Sequence, residues 1–346
     1  EKISPAYFTD FVNATYRDIT NEFLHDERLK AIVSQLWTYY GSPPSKLSAL
    51  YYSSPLHDYL TNGAYYPKGG GKALSDVLVD SIKENGGRII FNTKVKIIFI
   101  KENTAYGARV EDGQEFFAEY VISNIDVHAT FKNLIGQEYF NKLFIDEINK
   151  MEPSLSAFQV FLGLNVDLRK LGIDDYAIYV FTDYDMDKQY SLILNNNFYN
   201  SPFGVTLYSN IENSYAPEGK FAMAIGTLSN YDFWKNLPKE EYEEQKKKLA
   251  DILIKRAEQL IPNLTSYIDL IETATPLTME KYSGCYRGAI YGWNQILSQS
   301  GSNRLKNKTP IKNLYLVGAW TQPGGGIKAV MQSAMVVSNK ILERGT

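Results

Sequence analysis

Apolar residues recur at i, i+3, i+4 spacing over residues 8–24, 27–40 and 46–60, which predicts three helices. His25-Asp26 and GSPPS (41–45) separate them, and Pro43-Pro44 is a clear break. A fourth helix is expected over 72–84. A glycine-rich stretch leads into it and Asn85-Gly86-Gly87 ends it, with glycine in the C-cap place. Short β-type runs follow at 88–91, 95–100, 105–110 and 115–122, with Asp112-Gly113 as a hairpin signal between the last two. After Ser123-Asn124 the spacing turns helical again, over 127–135 and 137–150.

From residue 154 the pattern changes to strands at 155–164, 176–182, 189–194, 205–211 and 221–228, joined by Asn, Asp, Pro and Gly turns. A mostly antiparallel sheet is the expected product. Residues 240–261 read as a long amphipathic helix closed by Pro262, its EEYEEQKKK run being a solvated face. A strand at 268–275, a Gly- and Tyr-rich stretch to Trp293 and a loop to Pro310 lead to a final strand, turn and helix. There the apolar run 314–317 gives way to Ile327, Val330, Met331, Ala334, Val337 and Ile341 at helical spacing. Between them stand Pro323, Gly324, Gly325 and Gly326. Three residues without Cβ atoms allow close approach, and a helix amino end attracts an electron-rich or anionic group. A plain glycine-rich turn between a core strand and a core helix would give the same pattern.

Composition narrows the function classes. The chain has 346 residues, enough for about two domains, with 44% hydrophobic and 22% charged residues as in an ordinary globular protein. A net charge of -3 argues against a nucleic-acid partner. Cys285 is the one cysteine, so neither an intrachain disulfide nor a cysteine-based metal site can form, and a reducing, cytoplasmic setting is expected. With no second thiol role and no histidine nearby in sequence, it is not expected to be a nucleophile. His25, His57 and His128 are far apart and no H-E-x-x-H occurs, so no metal site is expected. No run of 18 apolar residues and no signal-like amino end is present, which leaves peripheral contact with a membrane surface open. Aromatic residues make up 14% of the chain, mostly core, but suited also to line a pocket for a flat apolar ligand.

Three segments then point to one family: YYPKGGGKALSDVLVDSIKENGGRIIFNTKVKII (65–98) with FFAEYVISNID (116–126), ATPLTMEKYSGCYRGAIYGW (274–293), and NLYLVGAWTQPGGGIKAVMQSA (313–334). Together they resemble the carotenoid desaturase group of FAD-dependent oxidoreductases, which takes in phytoene desaturases, carotenoid isomerases and retinol saturases, within the amine-oxidase-like superfamily. The resemblance runs from about Tyr65 to the carboxyl end. It implies a flavin beside the closing motif. Gly318, Ala319 and Trp320 would then pass near the ribityl and pyrophosphate. Pro323, Gly324, Gly325, Gly326 and Ile327 would face the flavin ring. Pro67, Gly69 and Gly70 would border the cofactor from another side, and backbone near Val95 would meet the adenine, although a strand valine is also a plain core residue. Many relatives carry an acid where Ala319 stands, and carotenoid desaturases often lack it. On the substrate side the resemblance nominates Arg287, Tyr286, Tyr291 and Trp293, with Tyr282 as a further lining residue. Arg287 as a surface ion-pair arginine and the aromatics as packing residues are the plain alternatives. No catalytic acid or base is nominated, because hydride chemistry belongs to the flavin and the protein supplies an apolar slot.

A flavoprotein of this group should also carry a strand, a G-x-G-x-x-G turn and a helix, and no such turn is found. The chain is therefore expected to be a fragment of a longer protein, of roughly 500 residues, binding FAD weakly or not at all, so that the cofactor belongs to the full-length protein and is absent from this chain, which is inactive by itself. The expected fold class is α/β plus α+β, a substrate domain with a mostly antiparallel or mixed sheet covered by helices, and an incomplete Rossmann-like FAD domain built from non-contiguous segments. Residues 1–64 are assigned to the helical part of the substrate domain, 65–135 to an FAD-domain helix and β-meander, 136–308 to the substrate sheet, and 309–346 to the last FAD-domain strand and helix. The expected activity is desaturation, saturation or isomerisation of an apolar polyene. Two alternatives stand beside it: a cofactor-free lipid or isoprenoid binder of Rab-GDP-dissociation-inhibitor-like architecture, and an amine-oxidase-type flavoenzyme. Oligomeric state is left open.

Overall fold

The computed structural model describes residues 11–343. Of the helix expected over 8–24, residues 8–10 lie outside the described residues, and the part seen is Tyr16–Phe23, opened by a capping box between Thr15 and Asp18. The next two helices form as Glu27–Ser34 and Ala49–Asn62. In chain order the strands among the described residues are β1 (Val95–Lys101), β2 (Thr104–Val110), β3 (Glu115–Phe117), β4 (Val121–Ser123), β5 (Ser156–Leu164), β6 (Ala177–Val180), β7 (Phe203–Thr206), β8 (Phe221–Ser229), β9 (Ile268–Ala274) and β10 (Leu314–Leu316).

The chain divides into two compact units. One comprises the chain up to Pro55, Phe91–Leu155 and the chain from Glu280 on; the other comprises Leu56–Ile90 and Ser156–Met279. This cuts across the boundaries expected from sequence. Residues 11–55 go with the closing motif, and the glycine-rich entry at 67–71 goes with the large sheet.

The sheet unit carries five antiparallel strands in the order β6-β7-β8-β5-β9. β5 and β8 pair over their whole length, from Ser156↔Ser229 to Leu164↔Phe221. Alternation on β5 places Phe158, Val160, Leu162 and Leu164 in one core with Val205, Met223 and Ile225. Leu249, Leu253 and Ala257 of the Lys239–Ala257 helix join that core, while its charged run stays outside. The strand expected over 189–194 is a helix instead, Met186–Leu194. Asp185 caps it by accepting from the N–H groups of Asp187 and Lys188, and Met186, Tyr190 and Ile193 bury at helical spacing. The 205–211 run shortens to β7, then tightens into a 3-10 turn at Tyr208–Asn210. In the same unit the Gly70–Glu84 helix ends as expected: Gly86 at φ 78° follows the cap, and the Gly87 N–H reaches the Ile82 carbonyl at 2.8 Å.

The other unit holds the β1-β2-β3 meander and a parallel pair, β10 with β4. Asp112-Gly113 makes the expected hairpin, with Arg109 opposite Glu115. The run expected as one strand over 115–122 is two. The Ala118 N–H still donates to Tyr106 at 3.0 Å, after which the chain leaves the meander and pairs with β10, Leu314↔Val121 through Leu316↔Ser123. Residues 88–91 form no strand. The core beneath the parallel pair gathers Ile98, Val127, Phe131, Trp293, Leu314, Leu316 and Trp320.

Candidate functional site

The carboxyl ends of β4 and β10 lie side by side in the parallel pair, and the turns that leave them meet. A Cβ on Gly318 would overlap the Asn124 side-chain oxygen, and the Gly318 N–H donates to Ser333 Oγ at 2.8 Å. Crevices at the carboxyl ends of parallel strands are where open α/β sheets bind ligands.

A second segment, residues 291–295, runs along the 319–325 turn with the two backbones in contact. A Cβ on Gly292 would stand 2.5 Å from the Ala319 carbonyl oxygen, and one on Gly325 would stand 2.9 Å from that of Tyr291. Gly324 is closed by the Tyr51 ring, whose atoms would come within 2.8 Å of a Cβ, and the Tyr51 hydroxyl donates to the Gly325 carbonyl at 2.7 Å. Two of the three glycines are thus required by the protein's own packing. Gly326 differs: its φ is 99° and no atom lies within 4 Å of its added Cβ. It is the N-cap of the Ile327–Leu342 helix, no side chain caps that end, and Ile327 is 66% exposed.

The long loop before β10, expected only to connect, is the scaffold of this wall. Asn307 Nδ2 donates to the carbonyls of Leu316 and Gln322, both at 3.1 Å, and Thr321 Oγ1 donates to Leu305 at 2.8 Å. Arg304, fully buried, donates to the carbonyls of Thr321, Ala319 and Trp293 and to Gln295 Oε1. Sequence reasoning missed Arg304, Tyr51 and Gly292. A glycine at the GW pair was a visible signal for close approach, whereas nothing local distinguishes Arg304 from a surface arginine.

Behind the wall sits an aromatic cluster. Trp293 and Trp320 pack edge to face with centroids 4.8 Å apart, and His128 lies 5.4 Å from Trp293 and 4.2 Å from Tyr286. His128 is buried, neither ring nitrogen has a hydrogen-bond partner, and burial pushes its pKa down to about 4, so the imidazole is neutral at pH 7. Asp126, also buried, accepts from the N–H groups of His128 at 2.5 Å, Ala129 at 3.3 Å and Tyr286. Burial raises the Asp126 pKa, against the lowering effect of those N–H groups.

The expected site residues therefore fall as follows. Gly318, Ala319, Trp320, Pro323, Gly324, Gly325, Gly326 and Ile327 line one continuous turn, with Tyr291 and Trp293 against it. Trp293 has no exposed surface. Tyr286 is 39% exposed over His128, while Tyr282 stands 80% exposed. Arg287 adopts φ 59°, its N–H directed to Glu280 at 3.3 Å. Val95 opens β1 and is 37% exposed, so it is not a core valine. Pro67, Gly69 and Gly70 belong to the sheet unit, where their neighbours are its own residues: Gly69 N–H donates to Glu212 at 2.6 Å and Gly70 lies against the Tyr215 hydroxyl.

A flavin fits the residues present at the wall, because the Gly326 turn leaves open space in front of an uncapped helix end suited to an electron-rich ring edge. Among curated proteins, the chain is 25% identical to zebrafish (Danio rerio) all-trans-retinol 13,14-reductase over 333 residues, covering 90% of this chain and 55% of that protein. It is 28% identical to the chloroplastic prolycopene isomerase of Daucus carota over 334 residues, 94% of this chain and 52% of that protein. The chain spans about half the length of these relatives. A solved oxidoreductase from Methanosarcina mazei shares the fold with a TM-score of 0.64 at 17% identity, over 94% of this chain and 68% of that one. The family described as flavin containing amine oxidoreductase matches residues 6–342. By that match, which takes in both units and the glycine wall, the chain belongs to the flavin containing amine oxidoreductase family.

Proposed function

We propose that the wall formed by residues 318–327 and 291–293 is the flavin side of an FAD-dependent oxidoreductase site acting on an apolar polyene of carotenoid or retinoid type. The observation that carries this reading is the open, uncapped helix start at Gly326 in a chain of a flavin-containing family. The retinol reductase and prolycopene isomerase relatives support the polyene, both named for reactions on conjugated isoprenoids.

Backbone N–H groups at Gly325, Gly326 and Ile327 would hold the electron-rich edge of the ring, with the 318–320 turn beside the ribityl chain. Bound FAD would supply the two-electron chemistry. The chain's own part is to orient the substrate and keep water out, with Tyr286, Tyr291 and Arg287 as the lining and orienting residues. The 346 residues contain no G-x-G-x-x-G turn. We therefore expect this stretch to hold FAD weakly and to turn over little or no polyene without added cofactor. Contact with a membrane surface, from which such substrates are drawn, belongs to the same proposal.

The test is to titrate the chain with FAD, follow flavin fluorescence, and then incubate the loaded protein, both oxidised and after anaerobic reduction with dithionite, with all-trans-retinol, prolycopene or, for the oxidised form, a set of primary amines. A change in polyene absorbance with a matching chromatographic product supports the reading. Oxidation of amines with no polyene product, or failure to take up flavin at any concentration, overturns it.

A further inference from the structure

Arg304 is 1% exposed and is the one fully buried charged side chain among the largest buried residues described. Its Nε donates to the Thr321 carbonyl at 3.1 Å, Nη1 to Gln295 Oε1 at 2.9 Å, and Nη2 to the carbonyls of Ala319 at 2.5 Å and Trp293 at 3.3 Å. All four acceptors are neutral. No carboxylate among the described residues pairs with it, and the group that faces it electrostatically is the Tyr51 phenol. Burying a cation without a counter-ion is costly, and burial holds its pKa down to about 10, still charged at pH 7.

The acceptors lie on the two segments that make the wall, 293–295 and 319–321. One guanidinium therefore ties both segments together and sets a full positive charge against the 319–321 carbonyls, on the same turn that runs on to Gly326. Tyr51 reaches the same turn through the Gly325 carbonyl. Structural cross-linking alone would be served by an arginine paired with an acid, or by a neutral amide. An unneutralised charge at this place is the feature in need of a reason.

We propose that Arg304 is the positioning residue and fixed counter-charge of the wall, selecting a ligand that carries, or acquires on reduction, negative charge at the Gly325–Ile327 helix start. The proposal rests on the flavin reading above. It adds that the site favours the electron-rich, reduced form of its ring over the oxidised form through a cation that never touches it, acting by its field and by holding the 319–321 carbonyls.

The experiment measures Kd of this chain for oxidised FAD and, under anaerobic conditions, for dithionite-reduced FAD, in wild type, R304K and R304Q, with circular dichroism and thermal unfolding as fold checks. R304Q is expected to lower the preference for reduced over oxidised FAD about tenfold, equivalent to a potential about 30 mV more negative for the two-electron couple. R304K, which keeps the charge but not the fork, should weaken both forms while keeping most of the preference. If R304Q does not fold, the wild type decides: tighter binding of reduced than of oxidised FAD supports the proposal, and equal affinity for the two forms overturns it. Equal weakening of both redox forms in a folded R304Q means a structural arginine only and overturns this inference while leaving the flavin reading intact. No uptake of flavin by wild type overturns both.

Discussion

The Tyr215 hydroxyl occupies the place where any side chain on Gly70 would begin, and it hydrogen-bonds the Tyr66 hydroxyl at 2.7 Å. Gly70 also sits at φ 79°, at the start of the Gly70–Glu84 helix. Gly70→Ala should therefore cost stability twice, by left-handed strain of about 1 kcal/mol and by a clash the phenol must move to relieve, for a total of roughly 2–4 kcal/mol. Chemical denaturation of G70A, Y215A and the double variant checks this. Tyr215→Ala should recover the clash part and leave the strain, and strict additivity of the two single changes would refute the contact.

His128 gives the fold a pH dependence of known sign. Its pKa is lowered in the folded protein to about 4 by burial, with Lys132 adding to the effect, so the unfolded chain binds the extra proton first. The associated stability is present above about pH 6.5 and is lost as pH falls through about 4, to the extent of about 3 kcal/mol. Asp126 acts in the opposite sense because its pKa is raised. The comparison is therefore the difference between wild type and H128F. That variant should equal or exceed wild type at pH 7, since no hydrogen bond is lost, and should gain on it steadily between pH 6.5 and 4. Parallel stability curves would show that His128 does not carry the slope.

The two neighbouring glycines of the wall should separate packing from binding. Gly325→Ala places a methyl 2.9 Å from the Tyr291 carbonyl oxygen and is expected to destabilise by about 1–3 kcal/mol. Gly326→Ala meets no atom within 4 Å, so it should cost only the strain of φ 99°, about 1 kcal/mol. Flavin titration should show the reverse order once stability is allowed for, with G326A losing about tenfold or more in affinity. Equal affinity for G326A and wild type would place the ligand elsewhere.

Asp185→Ala removes the side chain that accepts from the Asp187 and Lys188 N–H groups. Loss of a cap of this kind costs about 1 kcal/mol, and Asp185→Asn should restore most of it. Thermal unfolding reads the difference, and an unchanged midpoint for D185A would mean that burial of Met186, Tyr190 and Ile193 alone sets the helix.

Much of this protein is legible along the chain. The Gly70–Glu84 helix with its glycine stop, the β5 and β8 strands, the Asp112-Gly113 hairpin and the closing strand, turn and helix follow from periodicity and turn chemistry, which are local. The Pro276–Ser283 helix was readable too: Thr275 accepts from the N–H groups of Leu277 and Thr278 and a proline follows it, the usual helix opening. The tyrosines and glycines that follow it give the whole stretch the composition of a loop. Residues 189–194 misled because a short apolar run fits strand and helix alike, and only packing of Met186, Tyr190 and Ile193 separates them.

What the sequence determined by itself is most of the local elements and the family, because cap, turn and glycine requirements act over a few residues. The tertiary structure decided what the glycines are for. Gly70 makes room for Tyr215, Gly324 for Tyr51 and Gly325 for the Tyr291 carbonyl, while of the three glycines of the wall Gly326 alone meets no atom within 4 Å of an added Cβ. It likewise decided that β4 leaves its meander to pair with a strand nearly two hundred residues later, and that Arg304 is buried among neutral carbonyls. Close approach, parallel pairing and the cost of an unneutralised charge all depend on residues far apart in the chain, and no local pattern encodes them.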